Sequence, residues 1–259
     1  MYIDTHCHLQ FEQYNGDRNT VLRDALKAGV TQFIVPAVDP LSCTLALDLA
    51  KEHPGVVYAS IGYHPYEASH APDIRYLETL IQHHRQSIVA IGEIGLDYHL
   101  FKGEQALGKK QEQKQFFEDQ LHLAASHKLP VIMHCRDAYE DFFSVLDSLP
   151  ALPHGVIHCF SGGLQELRFA KERNLFVGID GNITYAKNLQ ATLLHIPLPM
   201  MLLETDSPYL TPLPHRGQRN EPKHIPLIAA HIAMSINADV GQVASQTTAN
   251  AKLLFEIYV

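Results

Sequence analysis

Short apolar runs rich in β-branched residues alternate eight times with amphipathic stretches along this chain, and that alternation restricts the fold more than any other feature. Strands that alternate with helical segments form parallel sheets, and eight such units close a (β/α)8 barrel. A length of 259 residues suits one barrel. We therefore predict an α/β protein with a single TIM-barrel domain over 1–259 and strands at 2–6, 31–36, 56–62, 88–92, 130–134, 155–159, 175–180 and 201–205.

An open, doubly wound sheet is the alternative arrangement for alternating strands and helices. Its nucleotide-binding versions carry GxGxxG after the first strand or a phosphate loop of the GxxxxGK[ST] type, and neither occurs here. The Pro-rich stretch 207–226 follows the eighth strand as a long loop. Loops in that position form active-site walls in barrels.

Composition limits where the protein works and what it binds. No apolar run approaches the roughly 18 residues that a membrane span requires, and the chain starts without the features of a secretory signal. The four cysteines form no CxxC pair, so we expect reduced thiols and predict a cytoplasmic protein. A formal net charge of −8 argues against a surface for long nucleic acids, but it allows a local phosphate site. Nothing indicates a membrane or an obligate protein partner.

Polar side chains concentrate at the carboxyl ends of the predicted strands, the face on which TIM barrels carry their chemistry. The first strand ends in "THCH", the third in "GYHP" and the fourth in "GEIGLD". The fifth ends in "IMHCR", the sixth in "IHCFSG" and the eighth in "LLETDSP". These motifs contribute His6, His8, His64, Glu93, Asp97, His134, Arg136, His158, Glu204 and Asp206.

The spacing of the first two histidines indicates a metal site. Residues two apart on a strand point the same way, about 6–7 Å apart, so His6 and His8 can reach one cation. Four imidazoles and two carboxylates at one barrel mouth exceed the ligands of one tetrahedral zinc, which favours two divalent metal cations per chain. The predicted ligands are His6, His8, Glu93, His134, His158 and Asp206. Zinc, manganese and magnesium all remain open as the metal.

Alternation also predicts roles for the residues beside these ligands. Cys7, Cys135 and Cys159 each follow a predicted ligand directly, so we expect them to turn away from the site and to be structural. Asp97 is either an acceptor that holds a ligand imidazole or a helix cap.

The ordered set "IDTHCHL", "GYHP", "GEIGLDY", "VIMHCRDA", "HCFSG" and "LLETDSPYLTP", followed by "RGQRNEP", resembles the motifs of TatD-type metal-dependent deoxyribonucleases. These are barrels of the amidohydrolase-like superfamily, and the resemblance extends from residue 2 to about 222. It implies that His6, His8 and Asp206 hold a first metal, that His134 and His158 hold a second, and that Glu93 bridges them. It also implies that His64 is an active-site residue.

A two-metal mechanism follows as a hypothesis. Metals about 3.5–4 Å apart activate a water and clamp phosphate oxygens, so the protein has to supply a positioned base. We assign that role to Asp206; Glu204 either assists or orients a ligand.

Cationic residues are few, and they suggest a substrate. Arg136, Arg216, Arg219 and Lys223 are the predicted phosphate contacts, with a solvated loop as the alternative for the last three. Lys102, Lys109, Lys110 and Lys114 instead suggest an exposed helix face. A small cationic area at the mouth of an acidic protein suits DNA ends or short oligonucleotides, which predicts exonuclease-like cleavage of phosphodiester bonds.

Two other functions remain open. Barrels of the same superfamily hydrolyse amides, lactones or phosphoesters of small molecules, and fold alone does not separate them from nucleases. Many of those relatives use a carboxylated lysine as the bridge, whereas Glu93 fills that place here. A non-catalytic metal-binding protein is the third possibility, against which stands the complete set of candidate ligands.

Overall fold

The computed structural model describes residues 1–101, 104–105 and 110–257, and eight parallel strands form its main sheet. Their order around the sheet is β1-β2-β3-β4-β7-β8-β9-β10. The strands are β1 Tyr2–Asp4, β2 Val30–Pro36, β3 Val57–Ile61, β4 Ile88–Asp97, β7 Val131–Arg136, β8 Gly155–Ile157, β9 Phe176–Ile179 and β10 Met201–Leu203. All eight predicted strands are present, within a few residues at each end. A small hairpin, β5 Leu100–Phe101 and β6 Glu104–Gln105, stands outside this sheet.

Helices follow the strands as the alternation predicts. They are α1 Arg18–Lys27, α2 Pro40–Glu52, α3 Ile74–His84, α4 Lys110–His127, α5 Tyr139–Ser148, α6 Leu164–Glu172, α7 Lys187–Leu193, α8 Ile225–Ser235 and α9 Val240–Phe255. Short 3-10 helices lie at Glu12–Tyr14, Pro65–Ser69, Gly181–Thr184, Leu198–Met200 and Pro222–His224. Gly29, just past α1, adopts a φ of 89°, which glycine tolerates without a side-chain clash.

Backbone hydrogen bonds beyond the strands bring the first and last strands together. Thr5 N donates to Leu203 O at 3.0 Å, Asp206 N to His6 O at 2.9 Å and His8 N to Ser207 O at 2.8 Å. The segments after β1 and β10 therefore run side by side at the barrel mouth. This pairing places two predicted ligand motifs, about 200 residues apart in sequence, next to each other.

The barrel interior is filled with apolar side chains that point to the same face of the strands as the polar side chains at its mouth. Ile132 lies two residues before His134, Val156 two before His158 and Leu202 two before Glu204. These apolar residues pack with Leu254 and Phe255 of α9, which covers the opposite end. A larger cluster lies between the strands and the surrounding helices. The site therefore rests on a packed apolar layer.

The cysteines and the apolar helices are the features on which the sequence makes further predictions. Cys7, Cys43, Cys135 and Cys159 are all free thiols. Within the described residues no single helix is long and apolar enough to cross a membrane, and only the bent pair Pro222–Ser235 and Val240–Phe255, angled by 115°, passes that test of length and composition.

The four lysines predicted to form an exposed helix face divide into three groups. Lys102 and Lys109 lie outside the described residues. Lys110 is exposed on α4. Lys114 is partly buried and pairs with Asp141 at 3.0 Å, so the prediction is wrong for it.

Candidate metal centre

The carboxyl ends of the strands surround a cleft of about 780 Å³. Several predicted site residues line it, namely His8, His64, Glu93, Asp97, His134, Arg136, His158 and Asp206. His6 lies beneath this surface and is fully buried, with its ring stacked on His158 at 4.0 Å between centroids. The structure therefore brings all six predicted metal ligands together.

Glu93 occupies the centre of this cluster, and its two carboxylate oxygens face different histidines. Oε2 lies 3.3 Å from Nε2 of His6 and 3.7 Å from Nε2 of His8. Oε1 lies 2.9 Å from Nδ1 of His134 and 2.9 Å from Nε2 of His158. Burial alone would raise the pKa of Glu93, but the surrounding imidazoles outweigh it and hold the pKa well below its usual value. The carboxylate is ionised and shared between two groups of nitrogens.

The first group consists of His6, His8 and Asp206. The Nε2 atoms of the two histidines are 3.2 Å apart, and Oδ1 of Asp206 lies 3.4 Å from that of His8 and 3.6 Å from that of His6. Nδ1 of His8 donates to the Pro36 carbonyl at 3.1 Å, which leaves the Nε2 lone pair directed into the cluster. Burial would raise the pKa of Asp206, but its bond to His8 and the nearby imidazoles lower it.

The second group consists of His134 and His158, whose inner nitrogens are 3.1 Å apart. Nε2 of His134 donates to Oδ2 of Asp97 at 3.0 Å, so Nδ1 is the nitrogen that faces Glu93. Asp97 is thus the acceptor that holds an imidazole, one of its two predicted roles. Burial would lower the pKa of His134, but Asp97 and Glu93 raise it to about 9.

The donor set fits divalent cations. Lone pairs that face each other at about 3 Å repel unless a proton or a cation lies between them, and both groups contain such a pair. Imidazoles whose outer N–H is bonded to a carbonyl or carboxylate, as in His8 and His134, are typical metal ligands. Three sets of side chains have ligand atoms within 4.8 Å of one another: His6, His8 and Glu93; His6, His158 and Asp206; and His64, Glu93 and His134.

His64 faces the same carboxylate but differs from the other histidines in its hydrogen bonding. Tyr66 N donates to its Nδ1 at 3.2 Å, so the neutral ring carries its proton on Nε2. That nitrogen lies 3.6 Å from Oε1 of Glu93. Burial and the neighbouring His134 lower the pKa of His64 to about 3, so the ring is neutral at physiological pH. It presents a hydrogen-bond donor to the cleft.

Glu204 is fully buried and lies behind the cluster, outside the lining of the cleft. Its Oε1 accepts a hydrogen bond from Cys159 N and lies 3.8 Å from Nδ1 of His158. Neither its Oε2 nor that Nδ1 has a hydrogen-bond partner among the described residues. Burial raises the pKa of Glu204 well above its usual value.

The predicted phosphate contacts divide between the cleft and its surroundings. Arg136 lines the cleft. Arg216 lies over the ring of Tyr185, with 4.3 Å between its guanidinium carbon and the ring centroid. Arg219 pairs with Asp17 at 2.6 Å and with Glu221 at 3.1 Å, and Lys223 pairs with Glu221 at 2.6 Å.

Sequence reasoning missed several residues of the cleft. Phe11, Tyr66 and Tyr209 bring aromatic rings into it, and their only sequence signal is that each follows a ligand motif within a few residues. Cys159 also lines the cleft, so the expectation that alternation turns it away is wrong, whereas Cys7 and Cys135 are buried in the apolar cluster between the strands and the helices, as predicted. For Cys159 the reason is that β8 ends at Ile157 and the backbone at residue 159 is left-handed, with a φ of 47°.

A (β/α)8 barrel with histidines and carboxylates gathered at the carboxyl ends of its strands is the architecture of a metal-dependent hydrolase. Comparison with known proteins narrows that class. The family model described as TatD related DNase matches residues 3–256. The chain therefore belongs to the TatD-related DNase family.

Individual relatives align with this chain over nearly its whole length. It is 37% identical to the uncharacterized metal-dependent hydrolase YabD of Bacillus subtilis, covering 99% of this chain and all of the relative. It is 36% identical to the 3'-5' ssDNA/RNA exonuclease TatD of Erwinia tasmaniensis, covering 98% of this chain and all of that protein. The crystal structure of YjjV, a TatD homologue from Escherichia coli, superposes with a TM-score of 0.90 at 31% identity and covers 98% of both chains.

Proposed function

We propose that this protein is a two-metal exonuclease that removes nucleotides from the 3′ ends of single-stranded DNA or RNA. The central observation is the Glu93 carboxylate, with one oxygen directed at His6 and His8 and the other at His134 and His158. A carboxylate placed this way suits a bridge between two cations. The activity in the name of the Erwinia relative supports the substrate class and the direction.

The cations would be held by two sets of ligands that share Glu93. His6, His8 and Asp206 would hold the first, and His134 and His158 the second. When bound, such a pair supplies Lewis-acid stabilisation of phosphate oxygens and lowers the pKa of a water nucleophile. Imidazole-rich sites favour zinc or manganese, and the carboxylates also accommodate magnesium. Elemental analysis of protein purified without added metal tests both the number and the identity of the ions.

Asp206 is the base in this mechanism. Its Oδ1 is directed at the two histidines, so the other oxygen of the same carboxylate serves to accept a proton from the attacking water. Its lowered pKa keeps it ionised and able to accept that proton at neutral pH. Asp206 N donates a hydrogen bond to His6 O, and the backbone of Asp206 is left-handed, with a φ of 52°. Together these features fix the position of the carboxylate at the barrel mouth.

The remaining side chains position the substrate and the ligands. His64 donates a hydrogen bond from Nε2 to a phosphate or leaving-group oxygen, because a neutral ring of low pKa is a hydrogen-bond donor and not a proton donor at neutral pH. Arg136 contacts the phosphate, whereas Arg216, Arg219 and Lys223 lie outside the lining of the cleft. Glu204 acts behind His158 as a positioning residue, which favours the second of its two predicted roles.

End-labelled single-stranded oligonucleotides test the proposal. We expect stepwise shortening from the 3′ end that chelator abolishes. Asp206→Asn should retain most of the metal while kcat falls by orders of magnitude. His64→Gln, which keeps a donor near the position of Nε2, should retain more activity than His64→Ala. Cleavage of lactones or small phosphoesters with no cleavage of oligonucleotides would instead support the small-molecule alternative, and no hydrolysis at all the non-catalytic one.

The predicted organisation and location of the protein stay part of this proposal. The family match over residues 3–256 supports one barrel domain over 1–259. Four free thiols suit the reducing cytoplasm that we predict for it.

A further inference from the structure

An aromatic ring stacks on one histidine of the first group of candidate ligands. Phe11 lies parallel to His8, with 4.5 Å between ring centroids and 7° between planes. It is half-buried and lines the cleft. The stacked imidazole and the turn that follows fix its orientation, since Arg18 donates to the backbone carbonyls of Leu9 and Phe11.

A second aromatic residue, Tyr209, lines the same cleft, on the segment after β10 that pairs with the segment of His8. Tyr209 N donates to Asp206 O at 2.9 Å, and Asn220, which is fully buried, donates from Nδ2 to Tyr209 O at 2.7 Å. The backbone of Tyr209 is therefore held on both sides. Its side chain is nevertheless 47% exposed where it lines the cleft. An aromatic ring that stands on a fixed backbone and is in contact with solvent is available to a ligand.

Lysine and arginine side chains contribute little to the surface of the cleft. Among the described residues that line the cleft, Arg136 is the one lysine or arginine. Arg219 and Lys223, which the sequence offered as phosphate contacts, are paired with carboxylates. A strand bound by its backbone needs a row of cationic contacts, whereas a strand bound by its bases needs ring faces. The cleft offers the second kind of surface.

We propose that Phe11 and Tyr209 form a stacking subsite for the base of the 3′-terminal nucleotide, beside the ligands His8 and Asp206. This inference rests on the proposed nuclease function. Every base has a ring face, so the subsite accepts all four bases, but it requires that the terminal base is unpaired and unstacked from a complementary strand. The rings therefore select single-stranded ends without selecting sequence.

The test compares a single-stranded oligonucleotide with the same strand carrying an abasic 3′-terminal residue; a third strand carries the abasic residue at its 5′ end. Stacking of one base corresponds to about 5-fold to 150-fold in kcat/KM. We expect kcat/KM of the wild-type protein to fall by that factor on the 3′-abasic strand and to stay unchanged on the 5′-abasic strand. Tyr209→Ala and Phe11→Leu should shorten the normal strand and the 3′-abasic strand at similar rates, and Tyr209→Phe should keep the wild-type ratio. Tyr76→Ala removes an exposed tyrosine of α3 outside the cleft lining and serves as the matched control.

The outcomes separate this inference from the function on which it rests. If the wild-type protein shortens the normal and the 3′-abasic strand equally well, the stacking subsite is refuted while the exonuclease proposal stands. Retention of the full wild-type ratio by both Tyr209→Ala and Phe11→Leu refutes it as well. If neither strand is shortened by metal-loaded protein, the proposed function itself fails. Circular dichroism and metal content of each variant show that a changed ratio does not arise from misfolding or loss of metal.

Discussion

At the scale of single residues, the site depends on how each histidine uses its outer nitrogen. His8 donates to a backbone carbonyl and His134 to Asp97, so both rings turn their other nitrogen to the interior of the cluster. His64 uses Nδ1 as an acceptor from Tyr66 N, and its inner nitrogen therefore carries the proton. Rings of the same chemical type, within a few ångströms of one carboxylate, are thus divided into candidate ligands and a donor.

Replacement of Glu93 tests the shared carboxylate directly. Glu93→Ala removes the group that faces both sets of nitrogens, and without its negative charge two neighbouring cations would repel each other. We expect metal content to fall well below that of the wild-type protein and oligonucleotide cleavage to fall to background. Elemental analysis after gel filtration measures the first effect. Two tightly held ions in Glu93→Ala would be incompatible with a bridge.

At the scale of elements, strand β9 must leave room for the buried carboxylate of Glu204, which follows β10. Gly178 on β9 lies against it, and a Cβ at that position would overlap the carboxyl group. Gly178→Ala should therefore lower the free energy of unfolding by about 1–3 kcal/mol, the usual cost of overpacking. Urea denaturation measures this change.

Two further variants show whether that cost comes from the clash. Gly16→Ala is the control, because a Cβ there meets nothing within 4 Å. The double variant Gly178→Ala/Glu204→Ala should recover part of the loss, since it removes the group that the new methyl would hit. If Gly178→Ala were as stable as Gly16→Ala, the backbone of β9 would not be in close contact with the carboxylate.

The loop after β10 gives a pH-dependent prediction. Burial and the stacked His215 lower the pKa of His224 to about 4, while Nδ1 of His224 donates to Asn220 Oδ1 at 2.8 Å. In the unfolded chain the pKa is about 6.5. Between pH 6.5 and pH 4 the unfolded chain therefore binds a proton that the folded chain does not, so stability falls as pH falls through this window. The contribution at pH 5 is on the order of 1–2 kcal/mol.

His224→Gln isolates that contribution, since every other titrating group is common to both proteins. Urea denaturation at pH 7.5 and pH 5 should show a smaller loss of stability in the variant than in the wild-type protein, by on the order of 1–2 kcal/mol. Equal losses in the two proteins would mean that the buried ring is protonated in the fold or that it titrates normally.

The same elements show what can be derived from the sequence and what cannot. Apolar periodicity places the strands, and parallel strands end on one face, so the convergence of His6, Glu93, His134 and His158 follows from local patterns. Pairing between loops does not follow. Arg219 and Asp17 are 202 residues apart, and nothing local predicts that this aspartate binds the arginine. Alternation likewise fails for Cys159, because the strand ends before that residue.

At the scale of the whole molecule, charge decides how a nucleic acid is held. The chain carries a formal net charge of −8, and its cleft contains the carboxylates Glu67, Glu93, Asp97 and Asp206. Bound cations would offset part of that charge at the centre. Elsewhere an anionic strand gains little from the protein surface, so its affinity depends on the terminal nucleotide and a small number of phosphate contacts.

Salt dependence measures the number of those contacts. For single strands, log K changes with log[salt] by about 0.7 for each neutralised phosphate. With one or two contacts, KM for a single-stranded oligonucleotide should rise by only about 3-fold to 7-fold between 50 and 200 mM monovalent salt at fixed divalent metal. Arg136→Gln should lower the slope by about 0.7, because Arg136 lines the cleft, whereas Arg219→Gln should leave it unchanged, because Arg219 is paired with Asp17. A rise in KM beyond about 30-fold would require four or more contacts, and the strand would then be held along its backbone outside the cleft.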